Sequence, residues 1–180
     1  MSKYVAFLRG INVGGHKKVK MEDLRKTFMS TGFENVKTLL ASGNVLFEAP
    51  KTAENSLVQQ IGKMLEKTFG FEIGVIIRSI DGLQKLADQN PFQGIEVTPK
   101  TRLYITFLSD KPNSSLKIPY QSPDGNFKIL SATNSEVFSV LIVTPNSRSV
   151  DLMNVLEKEY GRKITTRNWN TIEKILKAAE

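Results

Sequence analysis

Arg9, Asn12, His16, Lys17 and Lys18 fall within ten residues of one another, and Gly10, Gly14 and Gly15 are set among them. A guanidinium and two ammonium groups supply charge for an anion. A carboxamide offers both a donor and an acceptor, and glycines let backbone N–H groups converge on a ligand. The stretch has the composition of an anion cradle. Strand-forming residues 4–8 precede it, and a helical pattern starting at Met21 follows, so a helix N-terminus adds a partial positive charge. The glycines do not keep the Gly-x-Gly-x-x-Gly spacing, and no Gly-x-x-x-x-Gly-Lys-Ser/Thr is present. A plain turn with solvated lysines is the alternative reading.

Two further polar clusters bear on the same chemistry. Ser42 and Asn44 flank Gly43 in a short turn, where they are either ligand donors or residues chosen for backbone reasons. Arg167, Asn168 and Trp169 sit in a run that holds the only tryptophan, which either stacks on a base or sugar or anchors packing. His16 with Ser42 lacks any nucleophile-elbow pattern, so a hydrolase triad is not indicated. No catalytic residue and no cofactor can be assigned from these residues.

The 180 residues contain no cysteine and one histidine, which excludes disulfides, zinc–thiolate sites, iron–sulfur clusters and histidine-rich metal sites. No metal is expected. An apolar fraction of 40% and a charged fraction of 24% fit an ordinary globular chain. No signal-peptide core and no membrane-length apolar run is present, so the cytoplasm is the expected location and no membrane is expected as a partner. The net charge of +7 is uneven, because residues 1–50 carry eight Lys/Arg against four acids. That focus favours an anionic small molecule, a nucleotide or a nucleic acid as partner, with a solvated basic face as the alternative.

The elements that must position these groups read in an order of strand, helix, strand, strand, helix, strand. Residues 4–8 form the first strand, and Met21, Leu24 and Phe28 mark a helix with Gly32 at its end. Residues 36–40 and 45–47 form a hairpin, Leu57, Ile61, Leu65 and Phe69 line a long helix ended by Gly70, and residues 73–77 form a fourth strand. This is the split βαβ, α/β-plait arrangement of a ferredoxin-like unit. A short helix at 80–88 follows.

The second half echoes the first. Residues 104–108 match residues 4–8, Leu130, Asn134 and Phe138 answer Leu40, Asn44 and Phe47, and residues 78–85 align with residues 167–174. Asp81 with Gln84 and Asn170 with Glu173 read as matching capping boxes. The fold class is therefore α+β, a tandem duplication of two ferredoxin-like units: residues 1–90 with the basic glycine-rich loop, a linker at 91–100, and residues 101–180. In the second half, residues 111–120 carry prolines and replace the first helix by an irregular crossover. Ser149 is a plausible N-cap for the helix that follows. Strands such as 74–77 and 138–143 lack clean alternation, so both sheet faces require cover, either from the other half or from a second copy in a homodimer. In such a sheet the third strand lies antiparallel to the first, which puts the Ser42–Asn44 turn at the same end as the Arg9–Lys18 loop.

The motifs Phe7-Leu8-Arg9-Gly10-Ile11-Asn12-Val13-Gly14-Gly15, Ser42-Gly43-Asn44-Val45 and Thr166-Arg167-Asn168-Trp169-Asn170-Thr171 span both halves. On them the chain resembles the bacterial family catalogued as domain of unknown function 1697. The resemblance implies two α/β-plait units, and it implies no activity. From the residues, the leading expectation is an anion or nucleotide site at the opening loop, against a nucleic-acid-binding module or a protein-interaction and dimerisation module without a ligand.

Overall fold

The apolar run at residues 4–8 forms the middle of β1 (Ser2–Arg9), and all five of its side chains are buried. Successive strand residues face opposite sides of a sheet, so β1 is buried on both faces, as its lack of alternation requires. The computed structural model describes residues 1–40 and 43–180. Among these residues it is a mixed α+β structure with two antiparallel sheets and five helices. The chain divides into two units, residues 1–88 together with 174–180, and residues 89–173.

In the first unit β1 leads through a loop to α1 (Met21–Ser30), then β2 (Glu34–Leu39), β3 (Asn44–Ala49), α2 (Glu54–Phe69), β4 (Gly74–Ser79) and α3 (Ile80–Asp88). The strand order is β2-β3-β1-β4, with every pairing antiparallel. Leu57, Ile61 and Leu65 recur every four residues along α2, so one stripe of the helix is buried against the sheet. Gly70 ends α2 in the left-handed conformation, its N–H donating to Glu66 O at 2.8 Å. Phe47 on β3 lies among Tyr4, Phe28 and Phe33, with ring centroids 5.7, 5.5 and 4.8 Å away. Each fully buried side chain of this size contributes about 1.5–3 kcal/mol, which makes this cluster a clamp between α1 and the sheet.

The second unit holds β5 (Thr101–Leu108), β6 (Tyr120–Gln121), β7 (Phe127–Ala132), β8 (Glu136–Ile142), α4 (Ser149–Tyr160), β9 (Ile164–Asn168) and the start of α5 (Trp169–Ala178). Its sheet order is β6-β7-β8-β5-β9. The central pairings repeat those of the first sheet: Val5 faces Arg78 and Leu8 faces Val75, while Ile105 faces Arg167 and Leu108 faces Ile164.

Several local expectations are corrected. β4 runs into α3 without a linker, so Asp81 is already helical and the cap falls to the last strand residue: the Ser79 hydroxyl accepts from Gly82 N–H at 3.1 Å. Asn170 likewise lies inside the first turn of α5, not at its cap. Ser149 is the first helical residue of α4, with Arg148 at the cap position. In the hairpins, Gly43 O accepts from Leu8 N–H as Ser135 O accepts from Leu108 N–H, each at 2.8 Å. By register Glu136, not Asn134, stands at the position of Asn44, and Ser139, not Phe138, at that of Phe47. Residue types in a turn follow backbone needs, whereas register follows the apolar faces of the strands, so identities near a turn mislead alignment.

Candidate functional site

The loop after β1 is tied down at both ends by apolar anchors. Ile11 and Val19 are buried at 5% and 4% exposure, while Asn12 through Lys18 between them are all exposed. Within that span the chain forms a small closed turn. Asn12 N–H donates to Lys17 O at 3.1 Å, and His16 N–H donates to Val13 O at 3.0 Å. Gly14 and Gly15 occupy the centre of the turn with φ of +59° and +75°, the pair of left-handed conformations that a type I′ turn demands.

Asn12 locks this turn to the rest of the chain. Its Oδ1 accepts from Val19 N–H at 2.8 Å and its Nδ2 donates to Val19 O at 3.0 Å, so one side chain replaces two strand-like hydrogen bonds. Its own φ of +56° is a conformation that asparagine tolerates better than most residues. Lys17, with φ +49°, lies 5.9 Å from the Phe71 ring centroid and donates to Glu72 O at 3.4 Å, which latches the loop onto the connection between α2 and β4. Asn12 and Lys17 thus hold the loop, and His16 and Lys18 present it to solvent.

Arg9 ends β1 opposite Gly74 and is half-buried. A Cβ on Gly74 would stand 3.3 Å from that of Arg9, so the glycine makes room for the arginine. Gly10 turns the chain out of the strand with φ +73°. On the other side Gly43, with φ +82°, packs so closely that a Cβ there would stand 2.9 Å from Leu8 Cβ and from Ile11 Cδ1. The turn before β3 therefore lies at the loop's end of the sheet. Ser42 falls outside the described residues. Asn44 is fully buried and donates from Nδ2 to Leu39 O at 3.0 Å, closing the hairpin from within. The N-terminus of α1 is complemented by its own Glu22 and Asp23, with Glu22 paired to Lys26 at 3.0 Å. The positive end of this site is accordingly the turn and not the helix start.

Arg167, Asn168 and Trp169 lie in the second unit. Burial pulls the Arg167 guanidinium down to about 10, so it is still charged at neutral pH. Its Nη1 donates to Thr165 Oγ1 at 2.6 Å and to Thr166 O at 3.1 Å. Asn168 is exposed. Trp169 meets Phe92 and Phe138 edge to face, at centroid distances of 5.3 and 6.1 Å, so its ring is part of an aromatic cluster within that unit.

A cavity of about 160 Å³ also lies in the first unit, lined by Lys3, Lys37, Glu48 and residues 178–180 among others. Its lysines serve the last carbonyls of α5: Lys3 Nζ donates to Ala179 O at 2.5 Å and Lys37 Nζ to Ala178 O at 3.4 Å. Cations at the negative end of a helix stabilise it. The paired substitution Lys3→Met with Lys37→Met is expected to cost about 1 kcal/mol in urea unfolding, with a smaller loss in high salt. An unchanged midpoint would show that these contacts are idle.

Among the described residues no group of three or more His, Asp or Glu is placed to hold a metal ion, and no helix is long and apolar enough to cross a membrane. A family model described as "Protein of unknown function (DUF1697)" matches residues 1–138. Among solved structures the chain is similar to the conserved bacterial protein SP0830 from Streptococcus pneumoniae, at 20% identity and TM-score 0.76, over 99% of each chain. That likeness is one of fold. A search of the curated proteins finds no match.

Proposed function

The chain belongs to the DUF1697 family, whose description assigns no activity, and we propose that it binds a phosphate-bearing ligand at the loop between β1 and α1. One observation carries this reading: the Asn12 clamp on Val19 closes an exposed, cationic Gly14-Gly15 turn with two hydrogen bonds. A loop ordered before binding does not lose its freedom on binding, so more of the contact energy appears as affinity. In this reading His16 and Lys18 meet the anion and the Gly14 and Gly15 amides approach it closely. Arg9 and Lys17 contribute charge from behind the turn, and Gly10 and Asn12 set its path. Gly43, packed against Leu8 and Ile11, supports the loop from the side. Arg167, Asn168 and Trp169 are assigned no part in this site.

The architecture that carries the loop is, in the same reading, a tandem pair of ferredoxin-like units, residues 1–90 and 101–180 joined by 91–100. The repeated registers of β1 with β4 and of β5 with β9 support it. The copies differ where it matters, because β5 runs on into Ser109-Asp110-Lys111-Pro112 and not into glycines and lysines. A ligand site grafted onto one copy explains that difference.

Titration with nucleotides, sugar phosphates and oligonucleotides, followed by amide NMR, tests the site. The Gly14, Gly15 and His16 amides should shift saturably, and Lys18→Gln should weaken binding by about fivefold, the discounted value for one exposed charge-assisted contact. If none of these ligands moves those amides, the anion site is wrong.

A further inference from the structure

We infer that the anion met by this loop is the phosphodiester backbone of a nucleic acid and not a lone phosphate group, an inference that rests on the anion site proposed above. The loop's shape is the first reason. Asn12 through Lys18 are all exposed, whereas small ligands are held in concave sites that bury most of their surface. The distribution of charge is the second. Lys18 and Lys20 follow a tip whose two glycines carry no side chains, so a strand can come close and neighbouring phosphates can each meet a cation, with Lys17, held at Phe71, adding charge from behind.

The third reason is apolar. Val13 at the turn is 66% exposed, and Leu40, which follows β2 at the same end of the sheet, is 47% exposed. An isolated phosphate has no use for either, but sugars and base edges in a groove do, and apolar side chains flanked by cations are a recurring means of entering one. An anionic lipid surface would satisfy the same charges. Interfacial anchoring, however, relies on broad faces of Trp, Phe and Leu, and a valine and a leucine do not make such a face.

The test uses the full chain and labelled oligonucleotides, DNA and RNA, single-stranded and duplex, across a salt series read by fluorescence anisotropy. The logarithm of affinity should fall linearly with the logarithm of salt concentration. Lys18→Gln should reduce that slope by about 1 while weakening all sequences alike. Val13→Ser should weaken binding a few-fold with the slope unchanged, since it removes no charge. Both positions are exposed, and circular dichroism checks that the variants keep their fold. The four oligonucleotide classes then show which form of the backbone is preferred. A mononucleotide that binds as tightly as any oligonucleotide overturns the polymer and leaves the anion site standing. An unchanged slope in Lys18→Gln takes Lys18 off the phosphates and overturns the backbone contact at this loop. Binding to phosphatidylglycerol vesicles without oligonucleotide binding replaces the nucleic acid by a membrane surface, and silence from every phosphate-bearing probe removes both readings.

Discussion

Gly43→Ala should destabilise the first unit by about 3 kcal/mol, from two penalties that act on the same new atom. The left-handed φ of +82° costs an L side chain about 1–2 kcal/mol. The added Cβ would also stand 2.9 Å from Leu8 Cβ and from Ile11 Cδ1, and overpacking of this kind costs about 1–3 kcal/mol. Ile11 can swing its terminal methyl aside. Leu8 cannot move its Cβ without moving β1, which is buried and paired on both edges. The strain should therefore open the contact between the hairpin and β1. The Leu8 amide, which donates to Gly43 O, would report this by losing its protection from hydrogen exchange.

Gly10→Ala is the matched control. Its φ of +73° is as left-handed, but nothing lies within 4 Å of the added Cβ, so only the conformational penalty of about 1–2 kcal/mol remains. Equal losses in urea unfolding for the two substitutions would mean that the close approach at Gly43 carries no energy. It would also mean that Gly43 does not brace the loop.

Much of the frame could be read from the residues because local signals agreed with one another. The five-residue apolar run of β1, the four-residue spacing of Leu57, Ile61 and Leu65, and the left-handed Gly70 each specify one structure without help from distant parts of the chain. The order of elements followed from them. The α3 cap is not legible in the sequence, because a strand running straight into a helix leaves Ser79, a strand residue, to do the capping.

The site was legible as a place but not as a set of roles. Glycines and cations between a strand and a helix mark a loop that can meet an anion, and that much depends on composition. Asn12 looked like a ligand contact because a carboxamide in such a loop is chemically able to be one. Its engagement with Val19, seven residues later, depends on a turn whose closure no spacing rule encodes. Lys17 is similar. It looks like one of two equivalent ammonium groups, and only the chain at Phe71 and Glu72 distinguishes it from Lys18. The signal for the structural role of Asn12 is an asparagine just before a Gly-Gly turn, a residue that accepts positive φ.

Asn12 consequently yields the second large effect. Asn12→Gly keeps a residue that accepts φ of +56° but removes both hydrogen bonds to Val19, whose side chain is buried at 4% exposure. With about 1 kcal/mol for each bond, the loss should be about 2 kcal/mol. Asn12→Ala should cost about 1 kcal/mol more, because alanine pays for the left-handed backbone as well. Both variants should free the loop, seen as faster exchange of the Val19 amide and fewer ordered signals from residues 13–18. If the loop's order is what turns exposed charge into affinity, both should also weaken phosphate-ligand binding, although neither removes a charge. Lys18→Gln should do the opposite, weakening binding with little change in stability. A well-folded Asn12→Gly protein that binds as tightly as the wild type would break the link between the clamp and the ligand, and the exposed lysines alone would then account for the affinity.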